Sequence, residues 1–179
     1  MENIMLDLET MSTTPNAAII SIGAVKFDMD LGLIERFYRV VDLESCKEKD
    51  FHIDDSTVKW WSKQSDIARK EVAGEGTTPA IPLKYALKQF RDWMGKGNVQ
   101  IWGNGSDFDN VILANAFRKY GVNNAWDYRQ NRCYRTMVAS FPNIEMKMVG
   151  TYHKADDDAI YQAEYLMELV EVNKLLNVL

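Results

Sequence analysis

The sequence predicts an α/β chain with a mixed central β-sheet flanked by α-helices. Three observations carry this. The first forty residues are dominated by β-branched and apolar runs, later segments repeat their apolar residues at helical spacing, and a short apolar run at 99–102 lies between two such helices. Strands first and helices later also fit an α+β order, and the strand in the middle is what makes the sheet mixed. With 179 residues, 1–179 is expected to form a single domain that buries its core without disulfide staples.

Ile4-Met5-Leu6 begins a short buried strand that runs into Asp7-Leu8-Glu9, and Thr13-Thr14-Pro15-Asn16 is loop chemistry. Residues 18–27 read as a second strand, 28–32 as a turn, and 33–41 as the strand that pairs back as a hairpin. Asp55 or Ser56 is placed to cap a helix carrying Val58 and Trp61. The stretch 74–79 is linker-like but too short to separate domains. Leu83, Leu87, Phe90 and Met94 recur at helical spacing, and Gly95 ends that amphipathic helix. The strand at 99–102 feeds Gly103-Asn104-Gly105-Ser106, and a helix from about 107 to 120 follows, with Gly121 as its C-terminal cap. Between 125 and 152 only a short strand or helix near 135–139 is legible. The last helix runs from about 155 to 176, with Ile160, Ala163, Met167 and Val170 on one face.

Twenty-one basic against 26 acidic residues leave a net charge of −5. That disfavours a protein that coats long nucleic acid by electrostatics alone, but not an enzyme that handles one chain end through metal ions. Cys46 and Cys133 show no CxxC or Cys/His spacing, which excludes a zinc finger and points to a reducing, cytoplasmic setting. No apolar run reaches membrane-spanning length, and the start Met-Glu-Asn-Ile lacks the basic end of a signal peptide, so no membrane partner is expected.

Three polar clusters interrupt this pattern. Asp7 and Glu9 sit at i and i+2 of a strand and project from one face, where two carboxylates either share a divalent cation or are simply solvated at a strand end. Asp107 and Asp109 open a helix, where acids suit the dipole and Ser106 or Asn104 can cap; one of them could equally face the carboxylate pair. Asp156-Asp157-Asp158 also opens a helix, and the loop residue His153 before it has a side chain suited to general-base work at neutral pH. His52 reads as structural or surface. The turn 28–32 lacks the remaining ligands of a calcium loop.

As an ordered set, Asp7-Leu8-Glu9-Thr10, Asn104…Phe108-Asp109 and His153-Lys154-Ala155-Asp156-Asp157-Asp158-Ala159 resemble the DEDD superfamily of 3′–5′ exonucleases, histidine branch (DEDDh). The resemblance spans about residues 4–165. Met11, the run 15–25 and Trp60-Trp61 are similar to phage and prophage exodeoxyribonuclease-VIII-type and mycobacterial-type exoribonuclease members. The resemblance implies a ribonuclease-H-like fold and four metal ligands, Asp7, Glu9, Asp109 and Asp158, which favours Asp109 over Asp107. It implies two Mg²⁺ ions, with Mn²⁺ also active, His153 as general base, and a single-stranded RNA or DNA 3′ end as substrate. Thr10 and Met11 are then expected under the terminal nucleotide, and a homodimer is common among relatives. The spacing Asn104-x₃-Phe108, where many relatives have Asn-x₂-Phe, leaves the substrate role of Asn104 open. Trp60 and Trp61 point about 100° apart on a helix, so one is expected in the core; the other, with Trp61 as the candidate but either open, stacks on a base or serves only the core or an interface. Arg129, Arg132 and Arg135 add positive charge before the His153 loop, as phosphate contacts or as solvated side chains. The rival functions are an exonuclease-like adaptor without catalysis and an enzyme for very short oligonucleotides.

Overall fold

The period-two alternation of β1 (Asn3–Thr10) decides what each face of the sheet does. Ile4, Leu6 and Leu8 enter the core on one face, whereas Met5 enters a second core on the other. Asp7 and Glu9 continue the Met5 side. The computed structural model describes residues 2–105, 107–124, 126–142, 144 and 150–176, the side chains of 71, 72 and 176 excepted.

β1 pairs antiparallel with β2 (Ile19–Asp28), which pairs antiparallel with β3 (Gly32–Asp42). On its other side β1 runs parallel to β5 (Gln100–Gly103), and β6 (Asn131–Cys133) runs parallel to β5. The two-residue β4 (Ile81–Pro82) lies parallel to β3, so the sheet is mixed, in the order β4-β3-β2-β1-β5-β6.

One face is covered by α4 (Leu83–Met94) and α5 (Asp109–Tyr120). Leu83, Leu87, Phe90 and Met94 are all buried, as their spacing predicts, and Gly121 takes the left-handed cap conformation at φ 61°. The other face is covered by α7 (Ala155–Leu176). Its buried stripe runs through Ala159, Ala163, Leu166 and Leu169, while Met167 and Val170 are half-buried on the flank. Ile160 and Ala163 are buried as expected, and only toward Met167 and Val170 does the buried stripe shift by about one residue. The alanines at 155, 159 and 163 explain it, because they let the helix backbone settle on the sheet. Gly23 of β2 completes that approach, since a Cβ there would collide with the backbone of Ala155.

Other departures are local. α2 (Asp55–Trp61) is capped by Asp54 rather than Asp55 or Ser56, because Asp54 is the extended residue whose carboxylate reaches Thr57 N at 3.0 Å. α5 begins after Phe108 with no side-chain cap, so Asn104 does not serve as one; Ser106 lies outside the described residues. The element near 135–139 is a helix, α6 (Tyr134–Ala139). The short α1 (Leu43–Lys47), α3 (Asp66–Val72) and β6 have no counterpart in the sequence reading. Both cysteines are free thiols, and among the described residues no helix is long and apolar enough to cross a membrane.

Candidate active site

The β1–β5 ladder ends at Met5 and Trp102, and beyond it the strands part. Crevices at the carboxyl ends of parallel strands are where open α/β sheets receive ligands. Asp109, the first residue of α5, spans this one. Its Oδ1 accepts the Leu8 N–H at 3.1 Å and its Oδ2 accepts the Asn104 N–H at 2.8 Å. The side chain is buried, whereas Asp107 is exposed.

The start of α7 closes the other side. Asp7 is paired across the ladder with Gly23, the residue on which Ala155 rests, so the first turn of α7 comes down beside β1. Gln162 Nε2 donates to Asp7 Oδ1 at 2.8 Å. His153 donates its backbone N–H to Asp158 Oδ2 at 2.9 Å. His153 itself sits at φ 62°, in the left-handed region that few residues other than glycine adopt. Its ring stands edge-on to Trp60 and Trp61, with centroids 4.8 and 6.1 Å away.

The resulting pocket, about 230 Å³, is lined by Asp7, Glu9, Asp109, Asp158, His153 and Asn104. Arg135 is the one guanidinium among the described residues at its wall. Four carboxyl groups against one guanidinium leave the site short of positive charge. Burial pushes the Asp7 carboxyl well above its ordinary range, helped by the charges of Asp109, Glu9 and Asp158 and opposed by the Gln162 hydrogen bond. Burial, then Asp158 and Asp109, raises Glu9 to about 8. Burial raises Asp109 to about 6 against the hydrogen bonds from Asn104 and Leu8. Asp158 also rises to about 6 through burial, against the His153 N–H. Burial lowers His153, which favours the neutral imidazole.

Such a cluster asks for a cation. One ligand atom each from Glu9, His153 and Asp158 lie within 4.8 Å of one another. Carboxylate oxygens are the donors that hard divalent ions prefer, and the buried Gln162 Oε1 has no donor among the described residues. The donor set fits a divalent ion.

The chain matches the family described as the 3′-5′ exoribonuclease Rv2179c-like domain over residues 2–170. It belongs to that family. An exodeoxyribonuclease of Enterobacteria phage T4 is 29% identical over 131 residues, covering 66% of this chain and 56% of the relative, so the chain spans little more than half of that protein. Among solved structures, the nuclease domain of 3′hExo, a DEDDh member bound to rAMP, superposes with a TM-score of 0.61 at 16% identity, over 95% of this chain and 92% of that one. E. coli Exonuclease I in complex with a dA16 oligonucleotide gives 0.60 at 16% identity, over 96% of this chain and 41% of its own. A zinc-bound form of the same enzyme with single-stranded DNA gives 0.63 at 15% identity, over 96% and 40%. At these identities the likeness is one of fold, and the fold is the ribonuclease-H-like one of DEDDh exonucleases.

Not every sequence candidate of this Rv2179c-like domain faces the acidic pocket. Thr10 and Met11 lie outside its lining. The Thr10 hydroxyl donates to Ser12 O at 2.7 Å, and Met11 is 8% exposed in a neighbouring apolar depression of about 310 Å³. Of the two tryptophans, the stacking candidate Trp61 is the buried one. Trp61 is in the core, 4% exposed, its indole N–H donating to Thr10 O at 3.0 Å, while Trp60 is the indole open to solvent at 43%. Helix phase decides this, because α2 turns residue 61 and not 60 toward β1. Arg129 pairs with Asp127, and Arg132 is spent on Gln100 and backbone carbonyls, which leaves Arg135 at the site. Gln162 and Gly23 were missed. Gln162 was detectable as the i+4 neighbour of Asp158 on one helix face; nothing local marks Gly23.

Proposed function

We propose that this domain is a metal-dependent 3′–5′ exonuclease that removes nucleoside 5′-monophosphates from the 3′ end of single-stranded nucleic acid, RNA or DNA. One observation carries the reading. Carboxyl groups from three distant segments, Asp7 with Glu9, Asp109, and Asp158, converge in one pocket beside the His153 imidazole. The physiological ion is Mg²⁺ in two copies, with Mn²⁺ as a working substitute. When bound, divalent ions activate the attacking water and neutralise charge on the leaving 3′ oxygen.

The chain's own residues do the rest. Asp109 keeps its geometry through two backbone amides, and Asp7 through Gln162. His153 takes the proton of the water on a ring nitrogen, a role its depressed basicity suits because the acceptor form is present at neutral pH. Arg135 meets a phosphate oxygen at the rim. The open face of Trp60 receives an unstacked base, which only a single strand supplies. The same reading includes a homodimer, which light scattering would test.

The test is direct. 5′-labelled single-stranded RNA and DNA are incubated with Mg²⁺, Mn²⁺ or chelator. A ladder that shortens from the 3′ end with metal supports the reading. Intact substrate with both metals, together with retained binding, means an adaptor instead. A second role for His153 has its own support in the 4.8 Å cluster with Glu9 and Asp158, where the imidazole would be a ligand and not a base.

A further inference from the structure

Gln162 lies one helical turn beyond Asp158 on α7 and is 4% exposed. Its Nε2 holds Asp7 Oδ1 at 2.8 Å. Its Oε1 is fully buried and meets no donor among the described residues. Leucine or methionine would fill this place on an otherwise apolar stripe without desolvating an amide. A buried amide that is only half satisfied calls for an explanation in the loaded site.

The choice of a neutral donor is informative. A lysine or arginine here would neutralise Asp7 directly and lessen the demand for an ion. A glutamate would add another carboxylate to a site that already has four. A glutamine orients Asp7 and leaves its charge for a cation.

We infer that Gln162 is a positioning residue of the cation site. Its amide nitrogen holds one Asp7 oxygen and leaves the other for a divalent ion, while its carbonyl oxygen accepts a hydrogen bond from the hydration shell of that ion. The inference rests on the cation site of the proposed function. Outer partners of metal ligands commonly govern affinity by about 10- to 100-fold, and Gln162 acts in this way through Asp7.

The experiment is a Mn²⁺ titration by calorimetry, without substrate, on the wild type, Gln162→Met, Gln162→Leu and each combined with Asp7→Asn. Gln162→Met is expected to weaken Mn²⁺ binding by about 10- to 100-fold while the Tm of the metal-free protein holds or rises. In the Asp7→Asn background the same change is expected to add little, since the two residues act as a unit. Gln162→Leu is read the same way should the methionine variant fold poorly. Wild-type affinity in these variants, or a loss fully additive with Asp7→Asn, overturns the role of Gln162 alone. A fall in Tm with unchanged affinity marks a merely structural residue and overturns it as well. A wild type that does not bind Mn²⁺ overturns both this inference and the cation site beneath it.

Discussion

The backbone N–H of His153 is bonded to Asp158 Oδ2 at 2.9 Å, so the imidazole and a carboxylate of the pocket are held by one clip at the start of α7. Within this clip His153 sits at φ 62°. From sequence the loop reads as one that tolerates alanine, but alanine is strained in the left-handed region and asparagine enters it more readily. His153→Asn is therefore the cleaner variant. It should keep Mn²⁺ affinity while kcat falls by about 10²–10⁴, the usual worth of a positioned base. Calorimetry and single-turnover rates decide; a loss of Mn²⁺ as severe as in Asp7→Asn makes the imidazole a ligand.

The raised carboxyls fix the direction of a pH effect. A carboxyl whose pKa rises on folding holds its proton more tightly in the folded chain. Its contribution is full below an unfolded value of about 4 and is lost as pH climbs through the folded one. With Asp109 and Asp158 at about 6 and Glu9 at about 8, the metal-free protein should lose Tm steadily between those values and the unfolded range. The lowered His153 works the other way, one imidazole against four carboxyls. Saturating Mn²⁺ should flatten the curve, so the gap between the two melting series widens with pH. A metal-free Tm that rises from pH 5 to 8 contradicts the buried cluster.

Asp7→Asn removes one of the mutually repelling charges while keeping a group the Gln162 amide can meet. Turnover should vanish and Mn²⁺ affinity should drop, yet the metal-free Tm should stay level or increase slightly. Unaltered calorimetric affinity would remove Asp7 from the ligand set.

The tryptophans should separate cleanly. Trp61→Ala empties a core site and should cost about 3–5 kcal/mol. Trp60→Ala should cost far less stability but raise KM for a single-stranded oligonucleotide and lower kcat, because the exposed indole also braces the His153 ring. Thermal melts and steady-state rates on both variants are sufficient, and equal stability losses would refute the division between core and surface.

The parts legible in the sequence share a cause. β1, β2, β3, α4, α5 and α7 carry periodic apolar patterns long enough to exceed noise, and the acids that break those patterns stand out at their ends. α1, α3 and β6 are too short for any period to register, and tertiary contacts hold them. Which tryptophan is buried depends on helix phase relative to β1, and the roles of Gln162 and Gly23 depend on how closely α7 lies on the sheet. These are distances between segments, which local spacing does not encode.

Asp7 and Gln162 touch across 155 positions of the chain, and Leu8 and Asp109 across 101. A polypeptide that has not yet emitted α7 holds three of the acids and has neither Asp158 nor Gln162 to close the pocket around them. The pocket is therefore closed only once α7 has docked on Gly23.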